Sequence, residues 1–291
     1  MRYRGRFAPS PTGPLHFGSL VAALGSWLDA RAHGGEWLIR IEDVDRARER
    51  PGAAEAQLAT LRRLGLVSDL PIVRQSQRLE RYREVLARLV QSGRAFPCSC
   101  SRRELASSGG VHRRCLHPPM PARQAVRLRV EAGLECFEDR VFGRCCEDLA
   151  RSTGDFVLLR ADGFFAYQFA VVVDDADQGI SDVVRGADLL ASTARQRLLQ
   201  RALGLPHPRT MHLPLVLDAS GNKLAKSEGA QAIDREDPAA VLRRAWLHLG
   251  QEPSVLAGLR TVQAILAQAQ RHWTPARVPP SWPPKGVTAP M

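Results

Sequence analysis

The chain of 291 residues has little lysine and no long apolar run. Only three of its 41 basic residues are lysines, namely Lys223, Lys226 and Lys285. No apolar run approaches the roughly 20 residues that cross a bilayer, so we predict no membrane-spanning helix and no membrane partner. The first residues, M-R-Y-R-G-R, lack the apolar segment of a secretion signal. We therefore expect a cytoplasmic protein.

The scarcity of lysine draws attention to the segment G-N-K-L-A-K-S at 221–227. Arginine has replaced lysine almost everywhere else, yet two lysines stand three positions apart here. Lysine offers a compact, mobile ammonium group that the planar guanidinium does not reproduce. We therefore predict chemistry that needs lysine at positions 223 and 226, whereas Lys285 needs no explanation.

The overall composition is that of a soluble globular protein, with 44% hydrophobic and 24% charged residues. The formal net charge of +11 favours a polyanionic partner such as nucleic acid, although an arginine-rich composition alone also produces such a charge. Six cysteines are present. In a reducing compartment we expect them to be metal ligands or core residues rather than disulfides.

Strand-like and helical patterns alternate along the chain, which predicts an α/β fold with a largely parallel sheet and crossover helices. The strand-like segments are 2–7, 36–41, 154–160, 178–186 and 212–217. The helical segments are 20–28, 51–64, 77–91, 187–203, 237–249 and 254–271.

Changes in pattern divide the chain into five parts. Residues 1–97 and 153–203 are predicted to form the two halves of a nucleotide-binding α/β domain. Residues 98–152 are predicted to form a zinc-binding and connective insertion, and 204–273 to hold the lysine segment and a helical region. Residues 274–291 are rich in proline and lack periodicity, so we predict a disordered tail.

The segment R-F-A-P-S-P-T-G-P-L-H-F-G-S at 6–19 joins a predicted strand to the start of a predicted helix. Free backbone N–H groups and the positive end of the helix dipole bind phosphate at such a place. Gly18 allows close approach of a ligand to the backbone, and His16 adds a side-chain donor. We therefore predict that His16 and Gly18 bind phosphate.

A cysteine-rich stretch follows the first half of the predicted sheet. Three thiols and one imidazole in a short segment can complete a tetrahedral Zn²⁺ shell. The predicted ligands are Cys98, Cys100, His112 and Cys115. His117 is an alternative to His112 as the fourth ligand. The remaining cysteines have no histidine nearby and are predicted to be core residues: Cys136, Cys145 and Cys146.

The segment P-S-P-T-G-P-L-H-F-G-S resembles the HIGH region of class I aminoacyl-tRNA synthetases of the glutamyl and glutaminyl branch, and K-L-A-K-S resembles their KMSKS motif. Two phosphate-type motifs in the family's order are far more specific than either alone. The resemblance implies a Rossmann-like parallel sheet with a zinc-containing insertion and a small C-terminal helical region. It also implies attack on the α-phosphate of ATP, supplied with Mg²⁺. The implied phosphate-handling residues are His16, Gly18, Lys223, Lys226 and Ser227.

Four further segments, R-F-A-P-S, R-I-E-D-V-D, F-A-Y-Q and V-V-R-G-A-D-L, resemble in order the glutamate pocket of glutamyl-tRNA synthetases. The resemblance implies that Arg6 and Arg185 each hold one carboxylate of L-glutamate through a charge-assisted fork. Glu42 accepts a hydrogen bond from the α-ammonium group in the same scheme. The implied glutamate-binding residues are Arg6, Ala8, Ser10, Glu42, Tyr167 and Arg185.

The resemblance covers about residues 3–235 and stops where a glutamyl-tRNA synthetase continues into an anticodon-binding region. The chain is thus similar to short paralogues that activate glutamate without tRNA and transfer it to the queuosine base in the anticodon loop of tRNA(Asp). This implies L-glutamate, ATP and queuosine-bearing tRNA(Asp) as partners of a monomeric ligase. The family pattern has a tyrosine near the position of His112, and L-A-K-S here replaces M-S-K-S while keeping both lysines.

Three alternatives stay open from the sequence. A truncated glutamyl-tRNA synthetase would esterify the tRNA 3′ end, and the residues alone do not distinguish the two acceptors. A non-catalytic tRNA-binding paralogue would have lost its phosphate-handling groups, which are present here. A nucleotidyltransferase that makes a small-molecule adenylate would not need a pocket with two arginines and one glutamate.

Overall fold

A computed structural model describes residues 2–120, 124–217 and 232–280. The predicted lysine segment at 221–227 lies outside the described residues, as do 281–291 of the predicted tail. Among the described residues, none of the helices has the length and apolar character needed to cross a membrane.

Strands and helices alternate as the sequence patterns predict. The strands are β1 (Arg4–Phe7), β2 (Glu36–Ile41), β3 (Val73–Arg74), β4 (Ala95–Cys98), β5 (Ala125–Leu128), β6 (Leu134–Asp139), β7 (Gly143–Asp148), β8 (Val157–Leu159), β9 (Asp182–Gly186) and β10 (Arg209–Leu213). The helices are α1 (Phe17–Ala32), α2 (Ala53–Arg63), α3 (Leu79–Gln91), α4 (Arg102–Leu105), α5 (Leu149–Ser152), α6 (Tyr167–Asp177), α7 (Thr193–Leu203), α8 (Pro238–His248) and α9 (Val262–His272).

Parallel pairing dominates the two sheets that carry the site. β1, β2 and β3 pair in parallel, and β10 pairs in parallel with both β9 and β6. The backbone N–H of Ser181, just before β9, donates to the carbonyl of Arg4 at 3.0 Å, which brings the two sheets together. A third, antiparallel sheet has the order β4-β5-β8. The predicted α/β fold with a largely parallel sheet is confirmed.

Helix α1 lies at the centre of the largest core cluster. Leu20, Leu24 and Leu28 recur at helical spacing on its apolar face and are fully buried. A Cβ atom at Gly25 would lie 2.5 Å from Leu213 Cδ1, so a larger residue there would require the Leu213 side chain to shift. This contact places the middle of α1 against the carboxyl end of β10.

The C-terminal region is helical but differs from the prediction in two places. The helix predicted over 254–271 is wrong in its first part, because Gly258 adopts a φ of +74° and follows a short 3₁₀ turn (Pro253–Leu256). Thr261 then caps α9 by accepting from the N–H of Ala264 at 3.3 Å. The predicted tail is wrong for 274–280, since Val278 is buried in the core cluster.

The predicted insertion at 98–152 is divided between two sheets. β5 joins β4 and β8, whereas the β6–β7 hairpin pairs through β6 with β10. Cys145 is buried as predicted. Two predictions are wrong. One is that Cys136 and Cys146 are core residues, and the other is that no cysteine forms a disulfide. Antiparallel register places these two half-buried residues directly opposite each other, where a disulfide joins them.

Candidate active site and metal centre

A cavity of about 490 Å³ opens where the carboxyl ends of β1, β9 and β10 meet the N-terminus of α1. Open α/β sheets bind ligands at this edge. The cavity brings together every predicted ATP-binding and glutamate-binding residue that the structure describes: Arg6, Ala8, Ser10, His16, Gly18, Glu42, Tyr167 and Arg185. The three remaining predicted residues lie outside the described residues: Lys223, Lys226 and Ser227.

The loop between β1 and α1 is held by contacts that sequence reasoning missed. Gln57 of α2 is buried and donates from Nε2 to the carbonyls of Ser10 at 3.1 Å and Gly13 at 2.7 Å. The N–H of Glu42 donates to the carbonyl of Pro9 at 2.9 Å. These bonds connect the phosphate-type loop to α2 and to the end of β2, so the two walls of the cavity are positioned together.

His16 is the N-cap of α1. Its Nδ1 accepts from the backbone N–H of Ser19 at 3.3 Å. Because Nδ1 accepts, a neutral ring carries its proton on Nε2, from which it can donate to an anion. A Cβ atom at Gly18 would lie 3.2 Å from the His16 ring, so glycine leaves this approach open. The geometry suits binding of a phosphate at the start of the helix.

Arg6 does not present its fork to the cavity. Its Nε and Nη2 atoms donate to the two carboxylate oxygens of buried Asp175 at 3.2 and 3.3 Å. Arg40 also contacts this carboxylate, with Nη2 at 2.8 Å. Burial raises the pKa of Asp175, but the two guanidinium groups outweigh burial and hold that pKa below its usual value. The predicted fork is therefore occupied by Asp175, although Arg6 still lines the cavity.

Sequence reasoning did not identify Asp175. A signal was present, since two acidic residues follow the apolar run F-A-V-V-V in the segment that forms α6. Acidic residues within an apolar helix are rarely buried without a charged partner. Asp174 next to it accepts from Tyr82, Gln75 and Arg78. A buried acidic pair of this kind indicates basic side chains nearby.

Arg185 is buried in the cavity wall, and only 5% of its surface is exposed. Its Nε donates to His212 Nε2 at 3.0 Å, and its Nη2 donates to Thr193 Oγ1 at 2.9 Å and to the carbonyl of Leu189 at 3.2 Å. Its Nη1 is buried and has no hydrogen-bond partner among the described residues. Burial lowers the pKa of Arg185. A ligand carboxylate in the cavity would satisfy the unpaired donor.

Glu42 is the buried acid of the cavity. Burial raises its pKa to about 7, against the attraction of Arg40 and Arg6. Its Oε1 has no hydrogen-bond partner within the described parts of the chain, and Arg40 Nη2 lies 3.5 Å away. Tyr167 also lines the cavity, and burial raises its pKa so that the phenol stays protonated. An unpaired carboxylate oxygen of this kind suits a cationic group on a ligand.

The four predicted metal ligands converge in the structure. The ligand atoms of Cys98, Cys100, His112 and Cys115 all lie within 4.8 Å of one another. His117 is outside this group and instead contacts Glu104 at 3.3 Å. Three thiols and one imidazole at these distances can hold a metal ion.

Neighbouring residues orient this cluster. His112 Nδ1 lies 2.9 Å from Asp155 Oδ2, which leaves Nε2 directed at Cys98 Sγ, 3.3 Å away. Carboxylates orient metal-binding histidines in this manner. Burial raises the pKa of the Cys98 thiol, but donors from the Cys100 backbone and from Arg127 Nε outweigh it, so that pKa lies below its ordinary value. The Cys98 sulfur is thus prepared to act as a thiolate ligand.

A second cavity of about 570 Å³ lies between the cysteine cluster and the first cavity. It shares Ser10, Glu42 and Tyr167 with the first cavity and reaches Cys100. Four arginines line it: Arg48, Arg102, Arg127 and Arg160. A ligand held in the first cavity is therefore accessible from a basic second cavity.

The fold and the cavity define a class I synthetase-type ligase. Among solved structures, the glutamate-tRNA synthetase from Elizabethkingia anophelis is similar to the chain with a TM-score of 0.81 and 25% identity. The match covers 96% of this chain and 67% of that chain. A glutamate tRNA ligase from Elizabethkingia meningosepticum, in complex with its amino acid, gives the same TM-score and identity and is covered to 66%. The predicted synthetase-type fold is confirmed.

The family described as tRNA synthetases class I (E and Q), catalytic domain, matches residues 2–119 and 120–253. The chain belongs to this family. It is 58% identical over 278 residues to the Glutamyl-Q tRNA(Asp) synthetase of Xanthomonas oryzae pv. oryzae, covering 95% of this chain and 93% of that protein. It is 53% identical over 287 residues to the protein of the same name from Burkholderia cenocepacia, covering 93% and 96%.

Proposed function

We propose that the protein activates L-glutamate with ATP, without tRNA, and transfers the glutamate to the queuosine base in the anticodon loop of tRNA(Asp). The observation that carries this proposal is the likeness, at 53–58% identity over nearly the whole chain, to proteins named Glutamyl-Q tRNA(Asp) synthetase. The first cavity supports the amino acid assignment. It offers two buried arginines for the two carboxylates and one buried glutamate for the ammonium group.

In the activation step, a carboxylate oxygen of glutamate attacks the α-phosphorus of ATP. A bond forms between that oxygen and phosphorus, the bond to the β-phosphate oxygen breaks, and pyrophosphate leaves. Arg6 and Arg185 hold the substrate carboxylates, and Glu42 Oε1 accepts from the α-ammonium group. The Ser10 and Tyr167 hydroxyls orient the substrate, and the backbone at Ala8 forms part of the wall.

The helix N-terminus stabilises the charge that develops on the α-phosphate. His16 Nε2–H and the backbone beside Gly18 face that site in this scheme. Lys226, assisted by Lys223 and Ser227, neutralises the departing pyrophosphate. Mg²⁺ accompanies ATP as its usual counter-ion. Residues 1–97 and 153–203 thus act as the two halves of one catalytic domain, to which the 204–273 region adds strand β10 and the two lysines.

The cysteine cluster is proposed to hold one structural Zn²⁺ ion. Its three thiols and one imidazole fit the tetrahedral preference and the soft ligands of zinc. Cys98, Cys100, His112 and Cys115 would hold the ion, which stabilises the segment beside the second cavity. We also propose a cytoplasmic location. We propose a monomeric state because one chain carries every residue to which the scheme gives a role.

The second cavity is proposed to admit the acceptor base. A hydroxyl of the acceptor attacks the acyl carbon of the adenylate, an ester bond forms, and AMP leaves. Three arginines that line this cavity and are not fully buried, Arg48, Arg102 and Arg160, can contact RNA phosphates. Asp45 and Asp162 lie nearby as hydrogen-bond acceptors.

Transfer of labelled glutamate to two tRNA pools tests the proposal. One pool carries queuosine, and the other comes from cells unable to make it. We expect labelling of the queuosine pool alone. Labelling of neither pool, with glutamate-dependent ATP–pyrophosphate exchange intact, would retain the activation step and contradict the acceptor.

The second candidate function is esterification of a tRNA 3′ end. The likeness to glutamate-tRNA synthetases raises this candidate but does not favour it, because the relatives that match over nearly the whole chain are named Glutamyl-Q tRNA(Asp) synthetase. It predicts equal labelling of both pools. The two acceptors therefore give opposite results in the same assay.

A further inference from the structure

A buried pair, Asp139 and His212, lies directly behind Arg185. His212 Nδ1 is 2.6 Å from Asp139 Oδ2, and His212 Nε2 is 3.0 Å from Arg185 Nε. His212 is fully buried, and Asp139 is 4% exposed. Asp139 ends β6, His212 lies in β10 and Arg185 in β9, so three adjacent strands supply the chain of contacts.

The hydrogen bonds determine the protonation state of His212. Arginine has only donors, so Nε2 must accept from Arg185 and cannot carry a proton. The single proton therefore lies on Nδ1, which donates to Asp139. Burial lowers the pKa of His212, in agreement with a neutral ring. Thr193 Oγ1, 3.4 Å from His212 Nε2, and the carboxylate of Asp188 are the other polar groups that face the ring.

We infer that Asp139 and His212 are positioning residues that set the orientation of Arg185 for substrate. This inference rests on the proposed function, because it assigns Arg185 to a glutamate carboxylate. The guanidinium is planar, so holding Nε through His212 and Nη2 through Thr193 also fixes the direction of Nη1. Asp139 acts through His212. It accepts the proton on Nδ1, so that Nε2, the nitrogen that faces Arg185, carries no proton.

The variant Asp139→Asn tests this inference with little change of shape. The substituted side chain retains an Oδ1 atom, which in Asp139 accepts from the backbone N–H groups of Val141 and Phe142 at 3.1 Å. Its new amide group donates to His212 Nδ1, so the ring proton moves to Nε2. Nε2–H and Arg185 Nε–H are then two donors that face each other, and the hydrogen bond between them is lost. We expect the KM for glutamate in ATP–pyrophosphate exchange to rise roughly tenfold or more, while the KM for ATP changes less than about twofold.

Two further measurements separate positioning from loss of fold. The ¹⁵N NMR shifts of His212 report the tautomer without any activity, and we expect Nδ1–H in the unchanged protein and Nε2–H in D139N. His212→Gln places an amide oxygen where Nε2 accepts, so it should retain a KM for glutamate within about threefold, whereas His212→Leu should not.

Asp182→Asn is the matched control. Asp182 is similarly buried and lies three residues before Arg185 on β9, but it pairs with Arg209 and does not line the cavity. Equal rises in KM for glutamate and for ATP in D139N and D182N would overturn the inference, as would an unchanged KM for glutamate in D139N. Absence of glutamate-dependent exchange in the unchanged protein would instead overturn the proposed function, and the inference with it.

Discussion

The cysteine cluster, which is a candidate metal centre, and the first cavity are built by the chain in two different ways. All four residues of the cluster lie between residues 98 and 115, at the end of β4 and in the segment with helix α4 that follows it. The cavity draws its charged groups from β1, the end of β2 and β9, which extend from Arg6 to Arg185. One site depends on local spacing, and the other depends on the order of strands in a parallel sheet.

The two sites also differ in how their polar groups are satisfied. In the metal centre, His112 and Cys98 already have partners in Asp155 and Arg127. In the cavity, Arg185 Nη1 and Glu42 Oε1 are buried without hydrogen-bond partners among the described residues. Buried unpaired groups reduce stability, and proteins retain them mainly where a ligand completes the network. The cavity thus leaves buried polar atoms unpaired for a charged ligand, whereas neighbouring residues already orient the cysteine cluster.

Arg185→Gln should have the largest effect of the substitutions proposed here, because it removes a charged group from the first cavity. The amide cannot supply the charge that Arg185 Nη1 presents to a substrate carboxylate. Loss of one partner from a buried charge pair costs about 2–5 kcal/mol, so we expect kcat/KM for glutamate to fall by roughly 30-fold or more. ATP–pyrophosphate exchange at varied glutamate concentration measures this fall.

Arg195→Gln is the control for this substitution. Burial also lowers the pKa of Arg195, but this residue lies on α7 and is not part of the cavity wall. We expect its kcat/KM for glutamate to stay within about twofold of the unchanged protein. If R185Q and R195Q behaved alike, the cavity would not be the glutamate site.

Glu42 should give a smaller effect that depends on pH. Its pKa is raised to about 7 by burial, so the carboxylate is mostly neutral at pH 6 and mostly ionised at pH 8. Only the ionised form attracts an ammonium group. We therefore expect the KM for glutamate to fall roughly tenfold between pH 6 and pH 8 in the unchanged protein. In Glu42→Gln the KM should be high and nearly independent of pH.

Glu42→Gln should bind glutamate less tightly but should be more stable than the unchanged protein. A carboxyl group whose pKa is raised on folding stabilises the native state below its ordinary pKa of 4.5, and this contribution is lost as the pH rises through about 7. E42Q should therefore unfold at a higher temperature than the unchanged protein at pH 8, with a smaller difference at pH 5. An unchanged melting temperature at pH 8 would contradict the buried, ionisable state of Glu42.

The contrast between the two sites explains how much the sequence could predict. Spacing of Cys98, Cys100, His112 and Cys115 predicts the cluster directly, because residues close in the chain are close in space. The cavity residues were placed by resemblance to known motifs. Asp175 and His212 were missed, because their contacts with Arg6 and Arg185 depend on tertiary packing of separate elements.

The fold shows the same limit of prediction from sequence: contacts between distant parts of the chain are not determined by local pattern. β2 begins and ends where the apolar run E-W-L-I-R-I predicts, since burial on both faces leaves a clear pattern. The pairing of Cys136 with Cys146 depends on the register of the β6–β7 hairpin, which composition does not determine. Local pattern predicts elements well, whereas register and long-range pairs come from the three-dimensional arrangement.

Cys115→Ser should have the smallest effect on glutamate activation and so sharpen the comparison. Removing one of four ligands should lower bound zinc from about one ion per chain to nearly none, as measured by metal analysis. The cluster does not line the first cavity, so we expect the KM for glutamate to change less than about threefold.

Cys145→Ser is the control. It removes a buried thiol outside the cluster and should keep its zinc. Full zinc content in C115S would refute the metal centre. A rise in KM as large as that of R185Q would show that the two sites are not independent.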